Sequence, residues 1–219
     1  MTTYEYFIDK YKIEVGNQYI VNVPNMGRDD LAGDFGALGF KLGVEVGVAR
    51  GDYSVVLCGK NPKLHLFGVD PWLLTAYEPE INPADAGNLE SQPQFDDLYE
   101  ACKNKVAPFN VTLLKKFSAD ALSDFTNNSL DFVYIDANHD FPNFIFDLHY
   151  WMKKVKIGGV VSGHDYALFS YRKHNHVKRA LDAYARSYRM NPLFIAGSEE
   201  VRPGEIRDRF RSWFWIKSH

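Results

Sequence analysis

The sequence predicts a single doubly wound α/β domain spanning 1–219: a Rossmann-like, mainly parallel sheet of seven strands, with an antiparallel terminal strand and helices on both faces. Two observations carry this prediction. Short apolar runs alternate with helix-period segments along the chain, the pattern of successive βαβ units. A chain of 219 residues, 46% of them hydrophobic, fits one domain with a sizeable core, and no internal repeat or low-complexity tract divides it.

The first predicted strand covers 39–46, after a helix that Asp29 or Asp30 caps and that runs through Leu31 towards Leu38. Strands follow at 64–69, 111–115, 130–135 and 159–162, separated by helices at 53–58, 94–106, 119–125 and 141–155. Each crossover is long enough for a parallel connection. A helix over 177–188 leads to a sixth strand at 193–196, and a seventh lies at 212–217. The polar loop between those two carries no helical pattern, which predicts an antiparallel terminal pair. The segment 73–93 breaks the rhythm with Pro79, Pro83, Pro93, Asn82, Asn88 and Gly87, so it is expected to be an insertion.

Composition narrows the partners. The formal net charge is -3 and charged residues make up 24%, so no basic field is present to attract nucleic acid or anionic lipid. A small-molecule ligand is expected, with neither nucleic acid nor membrane as partner. Cys58 and Cys102 form no CxxC pair and no zinc spacing, which favours a reducing compartment. The residues 1–12 carry Glu5, Asp9, Lys10 and Lys12 where a secretory signal would have a basic start and an apolar core. No apolar stretch approaches the roughly 20 residues of a membrane span. A cytoplasmic location is the expectation.

In an open α/β sheet, ligands sit beyond the carboxyl ends of the strands, and here those ends are polar. The first predicted strand ends in Glu45-Val46-Gly47-Val48-Ala49-Arg50-Gly51-Asp52-Tyr53-Ser54, where two glycines let the backbone turn close to a ligand before a helix begins. The second ends in Asp70, about 20 residues further on, where a Rossmann-type site places the carboxylate that receives ribose hydroxyls. The fourth ends in Asp136-Ala137-Asn138-His139-Asp140, and the fifth in Gly163-His164-Asp165-Tyr166.

Taken in order, these motifs resemble the class I S-adenosylmethionine-dependent methyltransferase superfamily. They are Glu45-x-Gly47-x-x-x-Gly51-x-x-Ser54, Gly68-Val69-Asp70-Pro71-Trp72, Asp131 to Asp136 with His139, and Gly158-Gly159-Val160-Val161-x-Gly163-His164-Asp165-Tyr166. The likeness points to a branch of small-molecule and sugar O-methyltransferases that includes relatives of macrolide sugar O-methyltransferases, and it runs from about Arg28 onwards. It implies that Glu45 faces the cofactor's ammonium and that Gly47, Gly51 and Ser54 shape the loop around its amino acid and ribose. Asp70 would hold the ribose hydroxyls, and Trp72 and Ser118 would enclose the adenine. Both 1–27 and 73–93 lie outside this likeness and are expected to cover the acceptor, because long loops in compact domains are commonly lids and the site must exclude water; a disordered excursion is the alternative for 73–93.

For the chemistry, the resemblance offers two routes, because a protonated hydroxyl is a poor nucleophile. Either a general base removes the proton, with His139, Asp136 and His164 as the candidates, or a divalent cation such as magnesium lowers the acceptor's pKa. Asp136 and Asp165 are then the candidate metal ligands. Metal-dependent relatives carry a further acidic or amide ligand beside the second Asp, where this chain has His164 and Tyr166. Bland alternatives stand beside each residue: Glu45 as a solvated carboxylate, Asp70 as a turn residue, Trp72 as core, Ser118 as a helix cap and His139 as a loop residue. Asp140 is expected to cap the following helix and is left out of the catalytic set. The stretch 202–211 is expected to be a solvated face, and Trp213, Phe214 and Trp215 a buried strand or part of a homodimer contact.

Three other functions compete: N-methylation of a small molecule, a non-catalytic S-adenosylmethionine-binding protein, and an NAD-dependent oxidoreductase. The last is disfavoured because Gly47-x-x-x-Gly51 is not the G-x-G-x-x-G that a pyrophosphate requires.

Overall fold

A computed structural model describes residues 1–76, 89, 91–168 and 176–218. In chain order the elements are α1 (Thr3–Tyr11), β1 (Ile20–Val23), α2 (Arg28–Ala37), β2 (Leu42–Val46), α3 (Asp52–Lys60), β3 (His65–Asp70), α4 (Gln92–Val106) and β4 (Val111–Lys115). There follow α5 (Ser118–Ala121), β5 (Leu130–Ile135), α6 (Phe141–Lys154), β6 (Val155–Gly163), α7 (Val177–Ser187), β7 (Leu193–Ala196) and β8 (Ser212–Ile216). The strands form one sheet in the order β1-β7-β8-β6-β5-β2-β3-β4. Every pairing is parallel except those of β8, which runs antiparallel to both β6 and β7. The doubly wound, mainly parallel fold and its antiparallel terminal strand are as expected, but the sheet has eight strands among the described residues.

The extra strand is β1, which lies at the sheet edge parallel to β7, with Val21 opposite Phe194 and Val23 opposite Ala196. Its four residues were absorbed into an irregular N-terminal segment because so short a run has too few residues to declare a period. Through α1 and β1, much of 1–27 is packed onto the domain. Helix α1 starts with a capping box in which Glu5 N–H donates to Thr2 Oγ1 at 3.2 Å and Thr2 N–H to Glu5 Oε2 at 2.7 Å. It lays Phe7 and Tyr11 into the core. Of the segment expected to be an insertion, 73–76, 89 and 91–93 are described, and the rest lies outside the described residues.

Both faces of the sheet are covered, so β5 is buried along its whole length, with alternate residues serving opposite cores. Val133 and Ile135 join Leu148, Trp151 and Trp213 on the side of α6 and α7. Phe132 and Tyr134 join Phe35, Leu57 and Phe214 on the side of α1 to α3. Trp213, Phe214 and Trp215 are 0%, 0% and 3% exposed in the interior strand β8, so their surface is spent within the chain and not on a partner copy. Among the described residues, no helix is long and apolar enough to cross a membrane.

The cap of α2 differs from expectation. Its N-cap is Gly27, and Asp30 at the third helical position accepts the Gly27 N–H at 2.8 Å. The same helix carries Asp34, fully buried, whose carboxylate receives the hydroxyls of Tyr6 at 2.8 Å and Tyr11 at 2.7 Å and the ammonium of Lys10. This one carboxylate fastens α1 to the domain.

Asp34→Ala should accordingly destabilise the protein by about 2 to 4 kcal/mol, because it strands two phenolic donors in the interior as well as deleting an ion pair. Urea unfolding measures the loss, and limited proteolysis should cut first before residue 20. A change below roughly 0.5 kcal/mol would mean that packing of Phe7 alone holds the helix.

Candidate active site

Sheet order reverses between β2 and β5: the chain proceeds outward through β3 and β4, then returns to place β5 on the other side of β2. Such a reversal is where ligands of open α/β sheets bind, beyond the carboxyl ends of the strands. After β2 the chain turns through Gly47 (φ 89°), Ala49 (φ 47°) and Gly51 (φ 74°), all left-handed, before α3 begins. A side chain at Gly47 would run into the Asp136 carbonyl and the Ala137 backbone, so the absence of a Cβ lets the two loops touch.

Asp70 holds this loop in place. Its Oδ2 accepts the amides of Val48 and Ala49 at 3.1 and 3.0 Å, and its Oδ1 accepts the Trp72 amide at 2.9 Å. A carboxylate offers about four acceptor sites, so one remains for a hydroxyl. Trp72 is 0% exposed, packs with Val48, Cys102 and Val106, and gives its indole N–H to the Ala49 carbonyl at 3.0 Å. Ser118 Oγ accepts the Trp151 indole N–H at 2.7 Å and donates to Asp147. Both residues have protein partners: Trp72 braces the loop from beneath, and Ser118 joins α5 to α6.

Glu45 lies beneath the loop, 2% exposed, and its carboxylate receives the Ser54 hydroxyl. Burial pushes its carboxyl up to about 8, against the Ser54 hydrogen bond and the charge of Arg28, which pull it down. Arg28, at the start of α2, stacks its guanidinium 4.0 Å over the Tyr53 ring and pairs with Asp136 Oδ2 at 2.7 Å. Sequence reasoning gave it no role, since a single arginine after Gly27 belongs to no motif.

The polar cluster beyond β5 and β6 is assembled as expected. His139 Nε2 lies 2.8 Å from Asp165 Oδ2 and 3.6 Å from Asp136 Oδ1. His164 Nδ1 lies 3.6 Å from Asp165 and 4.0 Å from Asp136. Asp165 sits at φ 63°, a left-handed conformation that is costly for a non-glycine residue and that gathers at functional sites. Burial would raise the Asp136 carboxyl, but the His139 hydrogen bond and the charges of His164 and Arg28 outweigh it and hold it below the usual range. Asp165 is likewise buried, and its hydrogen bonds from His139 and His164 hold it well below that range. Asp140 caps α6 by accepting the Asn143 amide at 2.9 Å, which explains its place outside the cluster. The stretch 202–211, expected to be a solvated face, folds back so that Asp208 lies 3.9 Å from His164 Nε2; charge density alone did not reveal it.

The cluster also suits a cation. Asp136, His139 and Asp165 each present one ligand atom, and the three lie within 4.8 Å of one another. Two carboxylate oxygens and an imidazole nitrogen fit a borderline ion of the manganese or zinc type better than magnesium, which prefers oxygen throughout. The third donor is therefore His139, with His164 further from the carboxylates.

A family described as a methyltransferase domain matches residues 44–166, from β2 to the residue after Asp165. No curated protein sequence matches significantly. Solved structures with the same fold include the O-methyltransferase TomG from Streptomyces achromogenes, involved in tomaymycin synthesis and in complex with SAM. It is 14% identical with a TM-score of 0.58, over 87% of this chain and 80% of that one. An O-methyltransferase from Bacillus cereus in complex with SAH is 14% identical with a TM-score of 0.56, over 86% and 80%. The precorrin-6y C5,15-methyltransferase from Geobacter metallireducens is 13% identical with a TM-score of 0.54, over 87% of each chain. At such identities the likeness is one of fold.

Two buried carboxyls give the unliganded protein a distinctive pH response. Glu45 is raised to about 8, and Asp147 to about 7 by burial and the charge of Asp140, with the Ser118 hydrogen bond opposing. The folded state binds both protons more tightly than the unfolded chain does. Their stabilisation is therefore complete below about pH 4 and is lost as pH rises through 7 to 8. Between pH 5 and 8 the melting temperature should fall, and Asp147→Asn should flatten the decline. A flat or rising profile for the parent protein would show that both groups are ionised in the folded state.

Proposed function

The chain belongs to the methyltransferase-domain family, and from that premise we propose that it transfers the methyl group of S-adenosylmethionine to a hydroxyl of a sugar or another small molecule. The observation that carries the proposal is the contact between two loops: the one after β2, with buried Glu45 below it and Asp70 behind it, meets the backbone of Asp136, whose side chain opens onto His139 and Asp165. A cofactor held by the first loop presents its methyl group to the second.

In this reading Glu45, once ionised, pairs with the ammonium of the cofactor's methionine moiety, and the remaining acceptor site of Asp70 takes a ribose hydroxyl. The reaction is an in-line displacement. The acceptor oxygen bonds to the methyl carbon, the carbon–sulfur bond breaks with its electrons going to sulfur, and the acceptor proton leaves to a base. His139, fixed by Asp165, is that base. One ring nitrogen held by a carboxylate leaves the other for the proton, the division of labour that a carboxylate–imidazole pair makes possible. Arg28 and Asp136 position the pair. Should a cation bind, Asp136, His139 and Asp165 would hold it, and it would lower the acceptor's pKa.

His139→Ala should lower kcat by roughly 10²- to 10⁴-fold with unchanged cofactor affinity, the usual cost of losing a general base. Formation of S-adenosylhomocysteine with a panel of small hydroxyl compounds supplies the readout. Full activity in His139→Ala would sink the base assignment. Chelator-sensitive activity restored by manganese would assign the cluster to a cation, and no turnover of any acceptor despite tight cofactor binding would leave a non-catalytic binding protein.

Cofactor binding should also release a proton at pH 7, because Glu45 is mainly protonated in the free protein and must ionise to pair with an ammonium. Affinity should rise between pH 6 and 8. Calorimetry in two buffers of different ionisation heat counts the proton, and Glu45→Gln should abolish both the release and the pH dependence. Identical heats in both buffers would mean that Glu45 does not meet the ammonium.

A further inference from the structure

The loop that carries His139 is held from three directions. It leaves β5 at Asp136, whose amide donates to the Val46 carbonyl at 2.7 Å, and it enters α6 through Asn138, whose side-chain oxygen accepts the Asp140 amide at 3.0 Å. These contacts fix its two ends. The third hold falls on His139 itself and comes from His176, at the start of α7. The His176 amide donates to the His139 carbonyl at 2.9 Å, and the His176 ring accepts the Phe141 amide at Nδ1, 3.1 Å away. The His139 carbonyl and the Phe141 amide flank Asp140, so one residue of α7 grips the loop on both sides of that position.

This use of the side chain is unusual for its place in the helix. His176 is the N-cap of α7, where a side-chain oxygen ordinarily takes an amide of its own helix. His176 makes no side-chain cap hydrogen bond, and its ring nitrogen goes to α6. Phe141 is the first residue of α6, so its amide is one of those a helix cannot satisfy internally. Asp140 does not serve it, because one carboxylate oxygen takes the Asn143 amide at 2.9 Å and the other the Asn143 side-chain nitrogen at 2.7 Å. The Phe141 contact lies at the surface, where water can replace a lost acceptor, so its worth to folding is small. Its worth to geometry is larger. The His139 ring must keep Nε2 at 2.8 Å from Asp165 Oδ2 and still face the acceptor, and a misplacement of about 1 Å in a reacting group costs on the order of 10²-fold in rate.

We infer that His176 is a positioning residue for methyl transfer: through the His139 carbonyl and the Phe141 amide it holds the loop so that the His139 imidazole stays against Asp165. The inference rests on His139 as the base, and it gives His176 no contact with cofactor or acceptor.

Two substitutions separate positioning from folding. His176→Ala and His176→Ser both keep the backbone amide and remove the ring acceptor, but the serine hydroxyl, too short to reach Phe141, can cap α7. Carbethoxylation of His139 by diethyl pyrocarbonate, followed by peptide mass spectrometry, reads the ring without any methyl acceptor. In both variants His139 should react about threefold or more faster than in the parent, the scale of one exposed hydrogen bond, while His176→Ser melts no lower than His176→Ala. With a hydroxyl compound that the parent methylates, kcat should fall about tenfold or more in both, with acceptor KM and S-adenosylhomocysteine affinity unchanged. Parental reactivity of His139 in His176→Ala overturns the inference, as does unchanged kcat. It is equally overturned if His176→Ser regains parental reactivity together with parental stability, since only the helix cap would then matter. If the parent forms no S-adenosylhomocysteine with any compound, the methyl-transfer reading fails by itself, and the reactivity of His139 still decides for or against the hold by His176.

Discussion

The close approach of the Gly47 loop to the backbone of Asp136 is the constraint on which the site depends. Parallel pairing aligns β2 with β5, and it continues one step past the strands, where the Asp136 amide donates to the Val46 carbonyl at 2.7 Å. At the next residue the two chains must part, and they do so at a distance that tolerates no Cβ. Gly47 meets both demands, a left-handed φ and the absent side chain. The remaining loop conformation follows from Asp70, which spends three acceptor sites on main-chain amides. A carboxylate that binds backbone in this way fixes the shape of the crevice before any ligand arrives, which is what preorganisation requires.

The buried charges around the crevice form a balanced set whose balance is local. Arg28 and the two histidines answer Asp136 and Asp165, so those carboxylates stay ionised despite burial. Glu45 feels the same charges, Arg28 lowering its carboxyl and Asp136 and Asp70 raising it, but burial dominates over them and over the Ser54 hydrogen bond. Ionised and neutral carboxyls therefore coexist within one small region, a separation that environment alone produces.

Much of this was legible in the sequence, for reasons that can be named. Strands at 111–115, 130–135 and 193–196 coincide with β4, β5 and β7 because each is a compact apolar run between turn residues. The approach of His139 to Asp136 and Asp165 was legible because parallel strands deliver their carboxyl ends to one edge, whatever their separation in the chain. What sequence could not show was direction. Trp72 and Ser118 stand at the expected strand ends, but the partners a side chain takes there depend on packing, which sets Trp72 against Val48 and Cys102. Arg28 and Asp208 were invisible for the opposite reason. Each reaches the site from an element that sequence reading had assigned to structure or solvent, across more than a hundred residues for Arg28 and Asp136.

The antiparallel strand β8 carries the synthesis one step further, since its two ends lie at the two edges of the sheet. Near its start, Trp213 donates its indole N–H to the His164 carbonyl at 2.9 Å and so supports the end of the sheet that carries His139 and Asp165. At its far end, Trp215 and Lys217 border a cavity at the opposite end. The two indoles stack with centroids 5.6 Å apart and are almost wholly buried. Contiguity of this kind does not by itself couple the two ends, because coupling requires an element with two arrangements. An interior strand paired on both sides, in a close-packed core, has one.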